Sequence, residues 1–246
     1  MKLDTSTSKI AGIMQPYFFP YLGYFSLIKH TNIFILFDPV QFIRHGWIDR
    51  NRVLKQGEGW QYISVPLQKH ALTTLIKDVK ISTDANWKKK IFAQLTHYKK
   101  KAPFYNRAMT VVEEALSIDT DSITILNRHI LMTVCSYLNI PVDILIFSEM
   151  NLKFEPVQAP DEWALNICKA LGNVNEYWNP PGGMEFFDRE KYEKEQIKLY
   201  FQKINLSFYS QRRGPENFEP GLSIIDVMMF CSPEQISGML DDYELL

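Results

Sequence analysis

The fold turns on Ile10–Gln41, IAGIMQPYFFPYLGYFSLIKHTNIFILFDPVQ. Lys9–Met14 reads as a short apolar strand, Leu22–His30 as a helix and Asn32–Phe37 as a second strand. The second run, NIFILF, is apolar without alternation, as expected of a strand covered on both faces. Strand, helix and strand in so short a span make a parallel βαβ unit, right-handed by default. Between the first strand and the helix stand Gln15, Pro16, Pro20 and Gly23 among aromatic rings. The prolines stiffen the turn by fixing φ. Gly23 lets a neighbour approach the helix start closely, where free N–H groups suit a phosphate or carboxylate. Gln15 adds a neutral donor and acceptor. The same residues also read as plain core, with Gln15 capping the turn.

Outward from this unit the alternation continues. Trp60–Pro66, Leu75–Ile81, Asp143–Phe147, Glu176–Trp178 and Leu206–Tyr209 read as strands. Helical patterns cover Trp87–Lys99, Phe104–Leu116, Ser122–Asn139, Ala164–Leu171, Arg189–Ile204 and Ser223–Cys231. The expected class is α/β: a mainly parallel sheet with flanking helices, Rossmann-like, in one domain over residues 1–246. The helical block at 84–140 reads as a subdomain within it. Neither an internal repeat nor a low-complexity segment is visible.

Composition narrows the chemistry. With 27 basic and 28 acidic residues the formal net charge is -1, so no bulk attraction to nucleic acid or anionic membrane is expected. Lys88–Lys101 is a local exception, with six lysines and His97; it reads as a solvated helix face or a phosphate-binding patch. Cys135, Cys168 and Cys231 lack disulfide or zinc spacing and read as small buried hydrophobes. MKLDTSTSK has no signal-peptide core and no apolar run approaches a membrane span. A cytoplasmic protein without membrane insertion is expected.

In open parallel sheets, ligands gather beyond the carboxyl ends of the strands. Four loops fall there: Gln15–Gly23, Asp38–Arg52, Asn179–Gly183 and Tyr209–Arg213. In DPVQFIRHGWIDRNRV, Asp38 follows a buried strand, where a carboxylate is costly unless paired or functional. Asp38 and His45 are candidate general bases. Arg50 and Arg52 can hold a phosphate or carboxylate. Trp47 can stack on a sugar or base, and Gln41 and Asn51 can orient it. The alternative is a surface loop knitted by ion pairs. NPPGG, from Asn179, reads as a ligand clamp or a tight turn. Tyr209, Gln211 and Arg212 follow a strand, and Asp226 sits among apolar neighbours. No metal-site motif, dinucleotide or P-loop glycine motif, or serine elbow is present.

The strings MQPYFFPYLGYF, FILFDPVQFIRHGWIDRNRV, SVPL, YSQ and LSIIDV, in that order from about Ile10 to Val227, resemble the WbqC-like family. The resemblance implies a role in modifying a bacterial surface-polysaccharide (O-antigen) amino sugar. The implied reaction is transfer of an acyl or aminoacyl group to the amine of a nucleotide-linked sugar. An activated donor (coenzyme A, carrier protein or aminoacyl) or ATP is the implied cofactor, and an acyl carrier an implied partner. Gln15, Pro16, Pro20, Gly23, Asp38, Gln41, Trp47, Arg50, Asn51, Tyr209, Gln211, Ser223 and Asp226 fall on the family's characteristic positions. Many relatives carry His before the Gln-Pro, where this chain has Met14; that leaves Asp38 or His45 as the substitute base, with Gln15 also a candidate catalytic residue. The opening is also similar to class I nucleotidyltransferases such as pantothenate synthetase. Gly23 is kept, but Tyr21 and Tyr24 stand where those enzymes have histidines. Adenylyl transfer and non-catalytic sugar-nucleotide binding are therefore the rival readings.

Overall fold

Among the residues that the computed structural model describes, 8–84, 86–212 and 214–246, six strands form one sheet. They are β1 (Lys9–Met14), β2 (Ile33–Leu36), β5 (Ile144–Ile146), β6 (Val174–Asn179), β7 (Lys198–Ile204) and β8 (Tyr243–Leu245). A separate antiparallel hairpin joins β3 (Arg50–Leu54) to β4 (Trp60–Ser64). The sheet order is β5-β2-β1-β6-β7-β8. Every neighbouring pair is parallel except β7 with β8. Numbered along the chain, the five parallel strands run third-second-first-fourth-fifth, the doubly wound order of dinucleotide-binding sheets. The order reverses between β1 and β6, and a crevice opens there at the carboxyl ends.

Both faces are covered, as the unbroken apolar run of β2 requires. Phe34 and Leu36 point into one core with α1 (Leu22–His30), α4 (Ile123–Tyr137), α7 (Ile224–Phe230) and α8 (Pro233–Leu240). Ile33 and Ile35 point into another with α5 (Glu162–Leu171), whose Leu165, Ile167, Cys168 and Leu171 they meet. The chain between β4 and β5 carries α2 (Trp87–Leu95) and α3 (Tyr105–Ala115) before α4. Two caps form here: Ser122 accepts from Ile125 N–H, and α5 ends at Gly172 with φ 77°.

Three segments depart from the sequence reading. Arg189–Ile204 is not one helix: α6 (Arg189–Lys194) ends before Gln196, whose φ is 57°, and the rest becomes β7. In that stretch Leu199 and Phe201 are buried while Lys198 and Lys203 are exposed, and ladder bonds to β6 settle a segment whose charges looked helical. Leu75–Ile81 forms isolated bridges around a 3-10 turn. Leu206–Tyr209 is irregular, with Leu206 and Phe208 exposed. The sequence reading also missed β3, whose first residues it placed in the Asp38–Arg52 loop, α8, closed by a capping box of Ser232 and Gln235, and the short edge strand β8. No helix among the described residues is long and apolar enough to cross a membrane.

Candidate functional site

A cavity of about 400 Å³ fills the switch-point crevice. Met14 at the tip of β1 and Pro180, Pro181 and Gly182 beyond β6 line it from the sheet. The aromatic turn contributes Tyr17, Pro20 and Tyr21, and the approach to the hairpin contributes Trp47, Asn51 and Arg52. Leu206 and Gly221 complete the wall. Thus the first, second and third of the expected loops do look into one hollow.

Arg52 is the charged group of this lining. Its guanidinium lies 5.4 Å from the centre of the Trp47 ring and 5.1 Å from that of Trp60. Nη2 makes one long bond, 3.4 Å, to the Gly221 carbonyl, and Nε is buried without a hydrogen-bond partner. A buried guanidinium N–H left unmatched is costly, and the guanidinium charge in the lining favours an anion in the cavity. Tyr17 and Tyr21 supply phenols whose pKa burial raises. They stay protonated and can donate to an anionic or carbonyl oxygen.

The turn that carries these phenols is fastened from three sides. Asn51 is 4% exposed, and its Nδ2 donates to the carbonyls of Phe18 (3.1 Å) and Phe19 (3.0 Å). Ser223 Oγ donates to the Phe19 carbonyl at 2.8 Å, and Ile224 N–H to that of Pro20. Asn127 Nδ2 donates at 2.8 Å to both Pro16 and Ile48, joining the turn to the hairpin approach. Gly23 leaves room for a ring: a Cβ built there would lie 2.6 Å from Tyr21 Cζ. Asn51 and Gly23 therefore act on the cavity through the turn and through Tyr21.

Other expected site residues lie elsewhere. Asp38 is 1% exposed; Ser148 donates to its carboxylate from N (3.0 Å) and from Oγ (2.7 Å), which fixes the end of β2 to the segment after β5. His45 is exposed with φ 65°, and its carbonyl accepts from Arg50 Nη2 at 2.6 Å. Arg50 stacks on Tyr62 at 4.2 Å and braces that turn. Gln41 Nε2 donates to the Leu72 carbonyl. Gln15 is half-buried, and its carbonyl accepts from the hydroxyl of fully buried Tyr24 at 2.8 Å. Asn179 ends β6 just before the lining prolines. None of these seven lines the cavity.

Tyr209 and Gln211 serve a second, buried network. Asp226, fully buried, accepts from Tyr98 (2.5 Å), Tyr209 (2.6 Å) and Gln211 (3.0 Å). Burial first, then the Asp226 charge, pushes both phenols well above their ordinary pKa, so they remain donors. Arg213 lies outside the described residues. Among the described residues no three His, Cys, Asp or Glu side chains gather as a metal site.

The position of Met14 bears on mechanism. Met14 forms part of the cavity lining, and among the described residues that lining contains no Asp, Glu, His or Cys. Tyr17, Leu206 and Gly221 escaped the sequence reading. Tyr17 had a signal in its place between the two prolines; the other two had none, because they reach the cavity from distant, irregular chain.

The sequence model of the WbqC-like protein family matches residues 15–238. A Mycobacterium tuberculosis protein described as "Uncharacterized protein Rv1507c" is 28% identical over 229 residues, 92% of this chain and 95% of the relative. No solved structure matches the chain.

Proposed function

Starting from the premise that the chain belongs to the WbqC-like protein family, we propose that its switch-point cavity binds a nucleotide-linked amino sugar. The reaction we infer is transfer of an acyl or aminoacyl group onto the sugar amine, in the cytoplasm, during bacterial surface-polysaccharide assembly. The observation that carries the reading is Arg52, the charged group of the lining, over the Trp47 and Trp60 indoles in an aromatic hollow at the crevice where doubly wound sheets bind nucleotides. Its planar fork suits a phosphate, and the lining rings suit a sugar or a base.

The chemistry follows from what the lining holds. The amine attacks the carbonyl carbon of an activated donor, and the developing oxyanion accepts a hydrogen bond from Tyr17 or Tyr21. The bond to the leaving group then breaks, and the proton shed by the amine leaves with it. One such donor contributes on the order of 10²–10³ in rate, and approximation of the reactants supplies the rest. Asp38 and His45 have no part in this scheme, because neither lines the cavity.

The lack of an acid or base in the lining favours a second reading, a sugar-nucleotide binding module. Adenylyl transfer is less well supported: of the two tyrosines at the histidine positions, Tyr24 is buried in the core with its hydroxyl on Gln15. The test is calorimetric titration with a uridine-diphosphate-linked amino sugar, followed by incubation with acyl thioesters, acylated carrier protein, or amino acid plus ATP. A product of added acyl mass is expected. Tight binding without product across the panel selects the binding module, pyrophosphate release selects adenylyl transfer, and failure to bind sinks both sugar-nucleotide readings.

A further inference from the structure

A second cavity, about 780 Å³, opens between the far end of the hairpin and the 3-10 turn Thr96–Lys100 that follows α2. It is nearly twice the size of the first and falls within the range of small-molecule sites. Its wall carries Lys55, His97, Lys100 and Lys101 and, among the described residues, no Asp or Glu. Gln56 and Gln94 add amides, and Tyr98 and Phe230 give it an apolar floor. In a chain of net charge -1, this is a local concentration of positive charge on a concave surface, which focuses the field on an anion.

The lysine run read from the sequence divides here. Lys88 donates to the Ile118 carbonyl at 3.2 Å, and Lys89, Lys90 and Lys99 are exposed off the wall. Only Lys100 and Lys101 of the six face the cavity, because the helix tightens to a 3-10 turn after Leu95. The two sides of the cavity are tied by one phenol: Tyr98 accepts from Leu54 N–H at 2.8 Å and donates to Asp226. The wall is thus fixed before any ligand arrives. On β3, Arg52 and Leu54, which line the first and second cavities, are two residues apart, about 7 Å along a strand.

We propose that this cavity binds a phosphate ester of nucleotide size, with Lys100, Lys101 and Lys55 on its phosphates and Tyr98 and Phe230 beneath its apolar part. Lysines act on phosphate as point charges, which suits a ligand with several phosphate groups. Identifying this ligand as the acyl donor rests on the transfer reading above; the binding itself does not.

Calorimetry tests it with three probes: inorganic pyrophosphate, coenzyme A, and the nucleotide-linked amino sugar. The wall variant combines Lys100→Glu and Lys101→Glu; the control combines Lys89→Glu and Lys90→Glu, with the same charge change off the wall. We expect coenzyme A and pyrophosphate to bind the native chain and to weaken roughly tenfold or more in the wall variant, from two reversed charges beside the phosphates. The control should shift by less than about twofold, with the amino-sugar affinity unchanged in both. Equal loss in both variants, no phosphate binding at millimolar concentration, or preference for a single-stranded oligonucleotide would overturn the proposal. Arg52→Ala separates the two sites: it should remove sugar-nucleotide binding alone. A chain that binds phosphate probes but never the sugar nucleotide would sink the first reading and leave this one standing.

Discussion

Arg52 keeps its guanidinium 5.4 Å from the Trp47 ring centre, inside the cavity that both residues line. Such a contact is worth roughly 0.5–2 kcal/mol, and it orients the cation before an anion arrives. Arg52→Lys keeps the charge but loses the planar fork and the stack. Sugar-nucleotide affinity should fall by about tenfold, equivalent to about 1.4 kcal/mol, with little change in melting temperature. Calorimetry beside a thermal melt reads both.

Asn51→Ala should act on stability first. It removes the donor to two buried carbonyls, Phe18 and Phe19. Ser223 still serves Phe19, so Phe18 is the more exposed to an unmet acceptor, and a loss of roughly 1–3 kcal/mol is expected. Denaturant unfolding should show a lower midpoint with an unchanged slope.

Gly23→Ala separates shape from stability. Ala suits a helix interior better than Gly by roughly 0.8–1 kcal/mol, yet its Cβ would meet the Tyr21 ring. The ring is a side-chain end and can swing away, and it would swing within the cavity wall. Ligand affinity should drop while the melting temperature holds or changes little; an unchanged affinity would show that the ring's placement is immaterial.

Asp38→Asn tests a structural anchor. Asn offers a single acceptor oxygen to the two donors of Ser148, and its amide opposes one of them. A destabilisation of roughly 1–3 kcal/mol is expected, with sugar-nucleotide affinity and any turnover of the folded fraction preserved. Turnover lost from a fully folded variant would return Asp38 to the chemistry.

Alkaline pH should unfold the protein through its tyrosines. Burial raises the pKa of Tyr24, Tyr98 and Tyr209 well above the ordinary 10.0. An acid whose folded pKa is raised stabilises fully below the unfolded value, and this contribution declines as pH climbs past about 10. Absorbance at the phenolate band should therefore rise with the loss of far-ultraviolet ellipticity. Early, smooth ionisation of all tyrosines in a folded protein would contradict the burial.

The parallel core was legible because β2 is apolar on both faces and the β1–β2 link is helical. Trp47, Arg52 and the prolines after Asn179 were also within reach, since strand-end loops converge in this topology. Asp38, Gln41, Arg50 and Tyr209 lie off the cavity, and composition could not show it: a polar side chain that ties parts of the fold together has the same composition as one that waits for a ligand. Their partners, Ser148, Leu72, His45 and Asp226, are brought to them only by the fold. β7 hid because its strand identity comes from β6 alongside it, a contact that no local window contains.

Ser223 fastens a turn that left the ribosome 204 residues earlier. Synthesis delivers the aromatic loop first and this clasp near the finish, so a prematurely terminated chain keeps the Asn51 and Asn127 fastenings but lacks the one from Ser223. The cavity wall is therefore complete only once the C-terminal segment, which brings Leu206 and Gly221 to the lining, has been made.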